Sequence, residues 1–315
     1  LKPAAFRAVA RSQTLNEQMA EKAIIGVDLG GTKILTGVVG TDGKVSGTPV
    51  KIPTGGGDRA EEIIRRITGS VEAVMTEERL GVRDLTGIGI GATGPLDIEE
   101  GLILECPQLP QMHFFPIRKA IEDHFGLPVM LNNDANCFAL GETLFGAAAG
   151  RENVLGFTLG TGLGCALVMG GRLVNGSTGT AAEIWTSPYK SGIIEDYVSG
   201  TGVSAMYRSV SGTDSAPEKI FELAANGDPD ALRVWSEFGM HLAYAMAWSV
   251  NLIDPQMIVL GGSITAAYPF FRDSMETHFR KWTCPVPAEK TRVVLSGLGD
   301  YAGLIGAASL FIMNQ

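Results

Sequence analysis

The chain has 315 residues, a net charge of −9 and only 19% charged residues, which excludes a disordered polyelectrolyte and disfavours a nucleic-acid-binding surface. It is 45% hydrophobic, long enough for about two domains, and its 41 glycines show no G-X-Y period, which excludes collagen and favours tight turns. Cys106, Cys137, Cys165 and Cys284 form no C-x-x-C pair, which excludes a zinc ribbon; nothing suggests a disulfide framework, and a reducing cytoplasm fits.

Residues 1–22 read as a flexible leader, too short for a helix-turn-helix domain. Ile24–Leu29 and Ile34–Val39 read as strands joined by a glycine turn, and Thr41-Asp42-Gly43-Lys44 as a second hairpin turn. Gly55-Gly56-Gly57 marks a mobile loop, and 58–80 carries Ile63, Ile64, Ile67, Val71 and Val74 at helical spacing. Ile88–Ala92 is a buried strand running into Thr93-Gly94-Pro95. Then come a helix over 116–125, a strand at Pro128–Leu131 and a helix over Ala135–Phe145.

Val154–Gly171 carries no charge, but its six glycines and its alternation predict a strand pair around Gly160-Thr161-Gly162, not a membrane span. Asp228 caps a long helix with Pro229 in its first position, and Pro255 ends it. Its expected core stripe is Leu232, Trp235, Gly239, Leu242, Met246, Val250 and Ile253. Ile258–Leu260 is a strand leading into Gly261-Gly262, and 301–313 a final apolar helix. Alternating helices and strands predict α/β layers. Gly26-Val27-Asp28-Leu29-Gly30 and Gly156-Phe157-Thr158-Leu159-Gly160 lie 130 positions apart, which suggests a duplicated unit.

Glycine turns let backbone N–H groups approach phosphate oxygens, and two facing turns would grip a nucleotide from both sides. Neither turn is a Walker loop or a dinucleotide fingerprint. Asp28 either stabilises its own turn or holds Mg²⁺ through water. Lys33 either neutralises phosphate or is solvated. Within Asn132-Asn133-Asp134-Ala135-Asn136, the side chains either cap the following helix or make Asp134 a general base.

Together these segments resemble the ROK family of sugar kinases (repressors, open reading frames, kinases) in the actin/hexokinase/Hsp70 superfamily, over about residues 23–312. Asp28-Leu29-Gly30-Gly31-Thr32-Lys33 and Leu159-Gly160-Thr161-Gly162-Leu163-Gly164 resemble its two phosphate motifs. Gly91-Ala92-Thr93-Gly94-Pro95 resembles its G-x-x-G-P segment, Pro107-Gln108-Leu109 its Pro-Asn-Leu, and Leu260-Gly261-Gly262 its adenosine-side motif. Asn133-Asp134 matches a sugar-binding Asn and a catalytic Asp, while Glu183 and Glu195 stand where the family has sugar-binding glutamates.

The resemblance implies two actin-like (ribonuclease H-like) α/β domains flanking a cleft: a small one over 23–132, joined by a C-terminal helix at 300–315, and a large one over 133–299. It implies transfer of phosphate from ATP to a hexose, glucose at the 6-hydroxyl, with Asp134 as base. Thr93, Gly94, Asn133, Glu183 and Glu195 would hold the sugar. Gly30, Gly31, Thr32, Lys33, Thr161, Gly162, Gly261 and Gly262 would hold the nucleotide, and Asp28 a water-mediated Mg²⁺. It also implies a cytoplasmic homodimer without nucleic-acid or membrane partners. Two alternatives keep the same cleft: a non-catalytic sugar sensor, and a glucokinase that uses polyphosphate.

One departure stands out. The family usually follows the first of these glutamates with Gly-His and then a cysteine-rich zinc motif. Here Trp185-Thr186-Ser187-Pro188-Tyr189-Lys190-Ser191-Gly192 has no Cys or His, so zinc is not expected.

Overall fold

The computed structural model describes residues 22–313; the expected leader, Lys22 apart, and the last two residues of the chain lie outside them. Its first half runs β1 (Ala23–Leu29), β2 (Lys33–Val39), β3 (Val45–Pro53), α1 (Ala60–Glu77), β4 (Leu85–Ala92), β5 (Leu96–Asp97), β6 (Leu102–Ile103), α2 (Ile117–Phe125), β7 (Val129–Asn133) and α3 (Asp134–Leu144). The second runs β8 (Val154–Leu159), β9 (Leu163–Met169), β10 (Arg172–Leu173), β11 (Pro188–Tyr189), β12 (Gly192–Ile193), α4 (Gly200–Ser211), α5 (Pro217–Ala225), α6 (Pro229–Ile253), β13 (Met257–Gly261), α7 (Tyr268–Trp282), α8 (Pro285–Lys290), β14 (Arg292–Leu295) and α9 (Ala302–Ile312).

Two five-stranded sheets result, ordered β3-β2-β1-β4-β7 and β10-β9-β8-β13-β14. They share one plan. In each, a central strand pairs antiparallel with the strand after its glycine turn and parallel with the first strand on its other side. The segments 130 positions apart, β1 and β8, hold the same central place, as the suggested duplication requires. Both central strands are almost wholly buried because helices cover both faces, so they read as apolar runs without alternation.

The helix that follows each sheet crosses to the other. Helix α3 leaves β7 and packs on β8 and β9, while α9 follows β14 and packs on β1 and β4. The two helices also pack on each other at unusually short range. A Cβ on Gly306 would sit 1.6 Å from the Cys137 carbonyl oxygen, and one on Gly89 1.9 Å from that of Ala307. Backbone therefore meets backbone here, which only glycine permits.

Asp228 caps α6 by accepting from the Ala231 amide at 2.8 Å, and Pro229 occupies the first turn. The expected stripe needs one correction. Leu232 is 38% exposed, whereas Val234, Phe238, His241 and Ala245 are buried. Helix α6 is packed over a broad face by α4, α5 and α7, so its interior side spans more than one heptad stripe. Helices α4, α5, α7 and α8 and strand β14 lie outside the elements expected from the sequence. Gly55–Gly57 forms a tight turn, with the Asp58 amide donating to the Gly55 carbonyl at 2.7 Å, and Gly56 lies against Gln108. Among the described residues no helix is long and apolar enough to cross a membrane, and 154–171 is the β8–β9 hairpin with its following turn.

Candidate active site

The first glycine turn, Gly30–Thr32, closes when the Gly30 amide donates to the Lys33 carbonyl at 3.0 Å. Thr54 braces it: its hydroxyl donates to the Gly30 carbonyl at 2.7 Å and its amide to that of Thr32 at 2.9 Å. Gln108 packs against Gly31, where a Cβ would lie 2.7 Å from the Gln108 Cβ. The second turn, Gly160–Gly162, closes through the Gly160 amide and the Gly162 carbonyl at 3.0 Å. The N-terminus of α4 abuts it, the Gly200 amide donating to the Gly160 carbonyl at 2.8 Å.

Beside this second turn lies a cavity of about 190 Å³ lined by Thr161, Thr201, Ser204, Glu218, Ser263 and Ile264. Gly262, between the end of β13 and the cavity-lining Ser263, has φ +88°, and a Cβ there would meet the Leu159 carbonyl oxygen at 2.3 Å. Gly261 is buried against Phe138, so Gly262 is the exposed member of the pair.

Asn133 and Asp134 divide the two readings of their segment between them. Asn133 is the N-cap of α3, its Oδ1 accepting from the amides of Ala135 and Asn136. Its Nδ2 is left facing Gly94, 3.0 Å from where a Cβ would stand. Asp134 uses one oxygen on the Ala135 amide at 2.8 Å. Asn132 and Asn136 hold the turn from behind and reach Asn175, with Asn132 Nδ2 donating to Asn175 Oδ1 at 3.2 Å. Thr93 is fixed by its amide, which donates to the Leu29 carbonyl at 3.0 Å and so ties the Thr93-Gly94 segment to the end of β1.

Electrostatics shows which of these groups share a space. Burial, then the charges of Asp28 and Glu183, push the Asp134 carboxyl up to about 7, against the opposing helix-terminal amide. Burial also raises Asp28, and Lys33 opposes that rise. Glu183 is raised by burial and by Glu195, while the Trp185 indole, which donates to its Oε2, favours the charged form. Glu195 in turn accepts the Leu163 amide of the second glycine turn at 2.8 Å. Lys33 and Asp28 at the first turn, Asp134, Glu183, and Glu195 at the second therefore form one chain of interacting charges.

Half-buried carboxylates whose charges act on one another form a site that favours cations and protons over anions. Asp28 fits a water-mediated Mg²⁺ because its environment disfavours an uncompensated charge and Gly303 leaves its carboxyl room: a Cβ there would lie 3.0 Å from the Asp28 Cγ. Among the described residues no group of three or more His, Cys, Asp or Glu is arranged to hold a metal ion.

Several supporting residues carry no local sequence signal. Asn175, Thr54 and Trp185 reach the site from turns or strand ends, and His241 reads as one polar residue inside an apolar helix. Their partners are 24 to 52 positions away, apart from the Trp185–Glu183 pair, whose i,i+2 spacing was available.

Comparison with known proteins agrees with this geometry. The model of the ROK family matches residues 24–314. A glucokinase of Thermotoga maritima is 31% identical, over 93% of this chain and 98% of its own length. An N-acetyl-D-glucosamine kinase of Photobacterium profundum is 30% identical, over 91% and 98%. The crystal structure of a ROK family glucokinase from Streptomyces griseus, in complex with glucose and AMPPNP, superposes with a TM-score of 0.77 at 31% identity, covering 91% of this chain and 98% of that one. With its paired sheets, crossing helices and twin glycine turns, the chain belongs to the ROK family and has that family's two-domain actin-like fold.

Proposed function

We propose that this protein phosphorylates a hexose with ATP, and that its substrate is glucose, taken at the 6-hydroxyl. The observation that carries the reading is Asp134, the first residue of α3, whose carboxyl is pushed up to about 7 by burial and the neighbouring Asp28 and Glu183 charges. A base in that range can take a proton near neutral pH. Asn133 Nδ2, Glu183, Glu195 and the Thr93-Gly94 segment orient the sugar, and such polar contacts discriminate strongly against analogues that lack a hydroxyl. Gly30, Gly31, Thr32 and Lys33 receive the phosphates from one side, Thr161 and Gly162 from the other. The cavity beside Gly262 takes the nucleoside end.

In the step itself the sugar oxygen attacks the γ-phosphorus and its proton passes to Asp134. The new O–P bond forms as the bond from the γ-phosphorus to the β,γ-bridging oxygen breaks, and ADP leaves with that electron pair. Mg²⁺, held near Asp28, supplies charge neutralisation on the phosphates when bound. On this reading the small lobe comprises 23–132 with α9, which spans Ala302–Ile312 where 300–315 was expected, the large lobe 133–299, and the enzyme works in the cytoplasm at the entry to glycolysis.

A coupled assay with ATP or polyphosphate and a panel of glucose, mannose, fructose, allose and N-acetyl amino sugars tests it. ATP-dependent turnover fastest on glucose is expected. Sugar binding without turnover would instead favour a sensor, and turnover with polyphosphate alone would change the donor.

We also propose a homodimer. Tyr244, Trp248 and Leu252 lie four residues apart on one face of α6, with Trp248 51% and Leu252 71% exposed. Such a stripe of large apolar groups favours burial against a second copy. Light scattering on the native protein and on Trp248→Glu should give twice the chain mass for the first and the chain mass for the second.

A further inference from the structure

The loop from Glu183 to Glu195 has little structure of its own. It contains two-residue strands, two single 3₁₀ turns and Lys190 at positive φ, and Ala182, just before it, has positive φ too. So few backbone hydrogen bonds would leave it free to open locally unless something outside ties it down. Both glutamates of the sugar site sit at its ends, so any looseness passes directly to them.

What ties it is a cluster on the buried side of α6. The ring of His241, fully buried, accepts or donates on both nitrogens: Tyr189 Oη stands 2.9 Å from Nδ1 and Lys190 Nζ 3.3 Å from Nε2. Glu237 Oε1 also lies 3.4 Å from Nε2, so that nitrogen faces both the Lys190 ammonium and the Glu237 carboxylate. Burial, then the Lys190 charge, hold the imidazole down to about 4 against the opposing pull of Glu237. Glu237, one turn earlier on α6, lies 3.9 Å from Lys190 Nζ and balances its charge. The Tyr189 ring stacks on Tyr244 at 4.4 Å between centroids, and Lys190 lies over the Tyr197 ring at 5.1 Å. These contacts clamp the hairpin tip, β11–β12, onto the helix.

From the tip the order runs back to both carboxylates. The Ile194 amide donates to the Ser187 carbonyl and the Ser187 amide to that of Ile184, each at 3.0 Å, which joins the two 3₁₀ turns. The Trp185 indole then fixes Glu183 at one end, and the Leu163 amide fixes Glu195 at the other. We propose that His241, through Tyr189 and Lys190, is a positioning residue for Glu183 and Glu195: a metal-free lock that holds the sugar-binding loop in its gripping form. The inference rests on the sugar-kinase reading for its consequence, though not for the existence of the lock.

Four proteins test it: the native chain, His241→Leu, Tyr189→Phe and His241→Gln. The lock predicts that His241→Leu raises the KM for sugar about tenfold and Tyr189→Phe about threefold, with a smaller rise in the KM for ATP, passed through Glu195, and kcat little changed. His241→Gln, a neutral side chain that can both donate and accept, should recover most of the loss. Hydrogen exchange across 184–196 should quicken in His241→Leu and Tyr189→Phe, and the purified native chain should carry no stoichiometric zinc.

Unchanged sugar KM and unchanged exchange in both variants would overturn the inference, as would a rise in the KM for ATP larger than that for sugar, or one zinc ion per chain. Should His241→Leu fail to fold, Tyr189→Phe, which loses a single hydroxyl, decides the question. A native chain that phosphorylates no sugar would sink the kinase reading instead, and the exchange data would still judge the lock.

Discussion

Glu195 Oε2 accepts the Leu163 amide at 2.8 Å, so a carboxylate assigned to the sugar also closes the second glycine turn. The contact is tight enough that a Cβ on Gly162 would meet the same oxygen at 2.4 Å. One residue thus couples the sugar side of the cleft to the phosphate side. Glu195→Ala should raise the KM for both sugar and ATP, each by about tenfold, the scale of one hydrogen bond to a charged group. Glu183→Ala, which bonds only Trp185, should raise the sugar KM alone. Steady-state kinetics with each substrate varied separately makes the comparison.

Asp134 should cost the protein stability. Its carboxyl titrates at about 7 in the folded state against about 3.9 when unfolded, so the folded form binds the extra proton between those values. Stability contributed by this group is therefore complete below about pH 4, falls as pH rises to about 7, and is flat above. Asp134→Asn removes that dependence. Its melting temperature should exceed that of the native protein at pH 8, by about 2–4 °C for each kcal/mol recovered, and the advantage should shrink steadily toward pH 4.

Gly262 adopts φ +88° with the Leu159 carbonyl oxygen 2.3 Å from any added Cβ. Both facts demand glycine. Gly262→Ala should raise the KM for ATP and destabilise the fold by more than about 1 kcal/mol, since the backbone must shift at the edge of the nucleoside cavity. Nucleotide titration and thermal melts report the two effects.

Glu142 is a buried carboxylate that accepts from the amides of Ala147, Gly297 and Leu298 and from the Ser296 hydroxyl. It pins the end of α3 to the segment entering α9, the two helices that cross between the sheets. Glu142→Ala leaves these donors without a partner, at about 1–3 kcal/mol for each that water does not reach. The variant should melt well below the native protein, while its KM values, measured at low temperature, stay within about twofold.

The parts of this molecule that follow from local chemistry were open to a reader of the sequence. Asp228-Pro229 announces the start of α6, and Asp28-Leu29-Gly30-Gly31 announces a strand ending in a turn, because caps and glycine turns need only their immediate neighbours. The site was legible because its segments match an ordered family pattern, which local patterning alone would not have assembled. Contacts between distant segments stayed hidden. Nothing near Leu163 says that its amide meets Glu195, and nothing in an apolar helix says that His241 grips a hairpin 51 positions earlier. Leu232 was misplaced for a related reason: which face of a helix is buried depends on how many neighbours surround it.

The assignment of Asp134 as the base is tested most directly by Asp134→Asn, assayed for turnover and, by calorimetry, for sugar binding. Loss of the base should lower kcat by about 10²–10⁴ while sugar affinity stays within a few-fold and the fold stays intact. In the native enzyme kcat/KM should fall with unit slope as pH drops through about 7, because the reactive form is the carboxylate. A folded Asp134→Asn protein that turns over at close to the native rate would contradict the account.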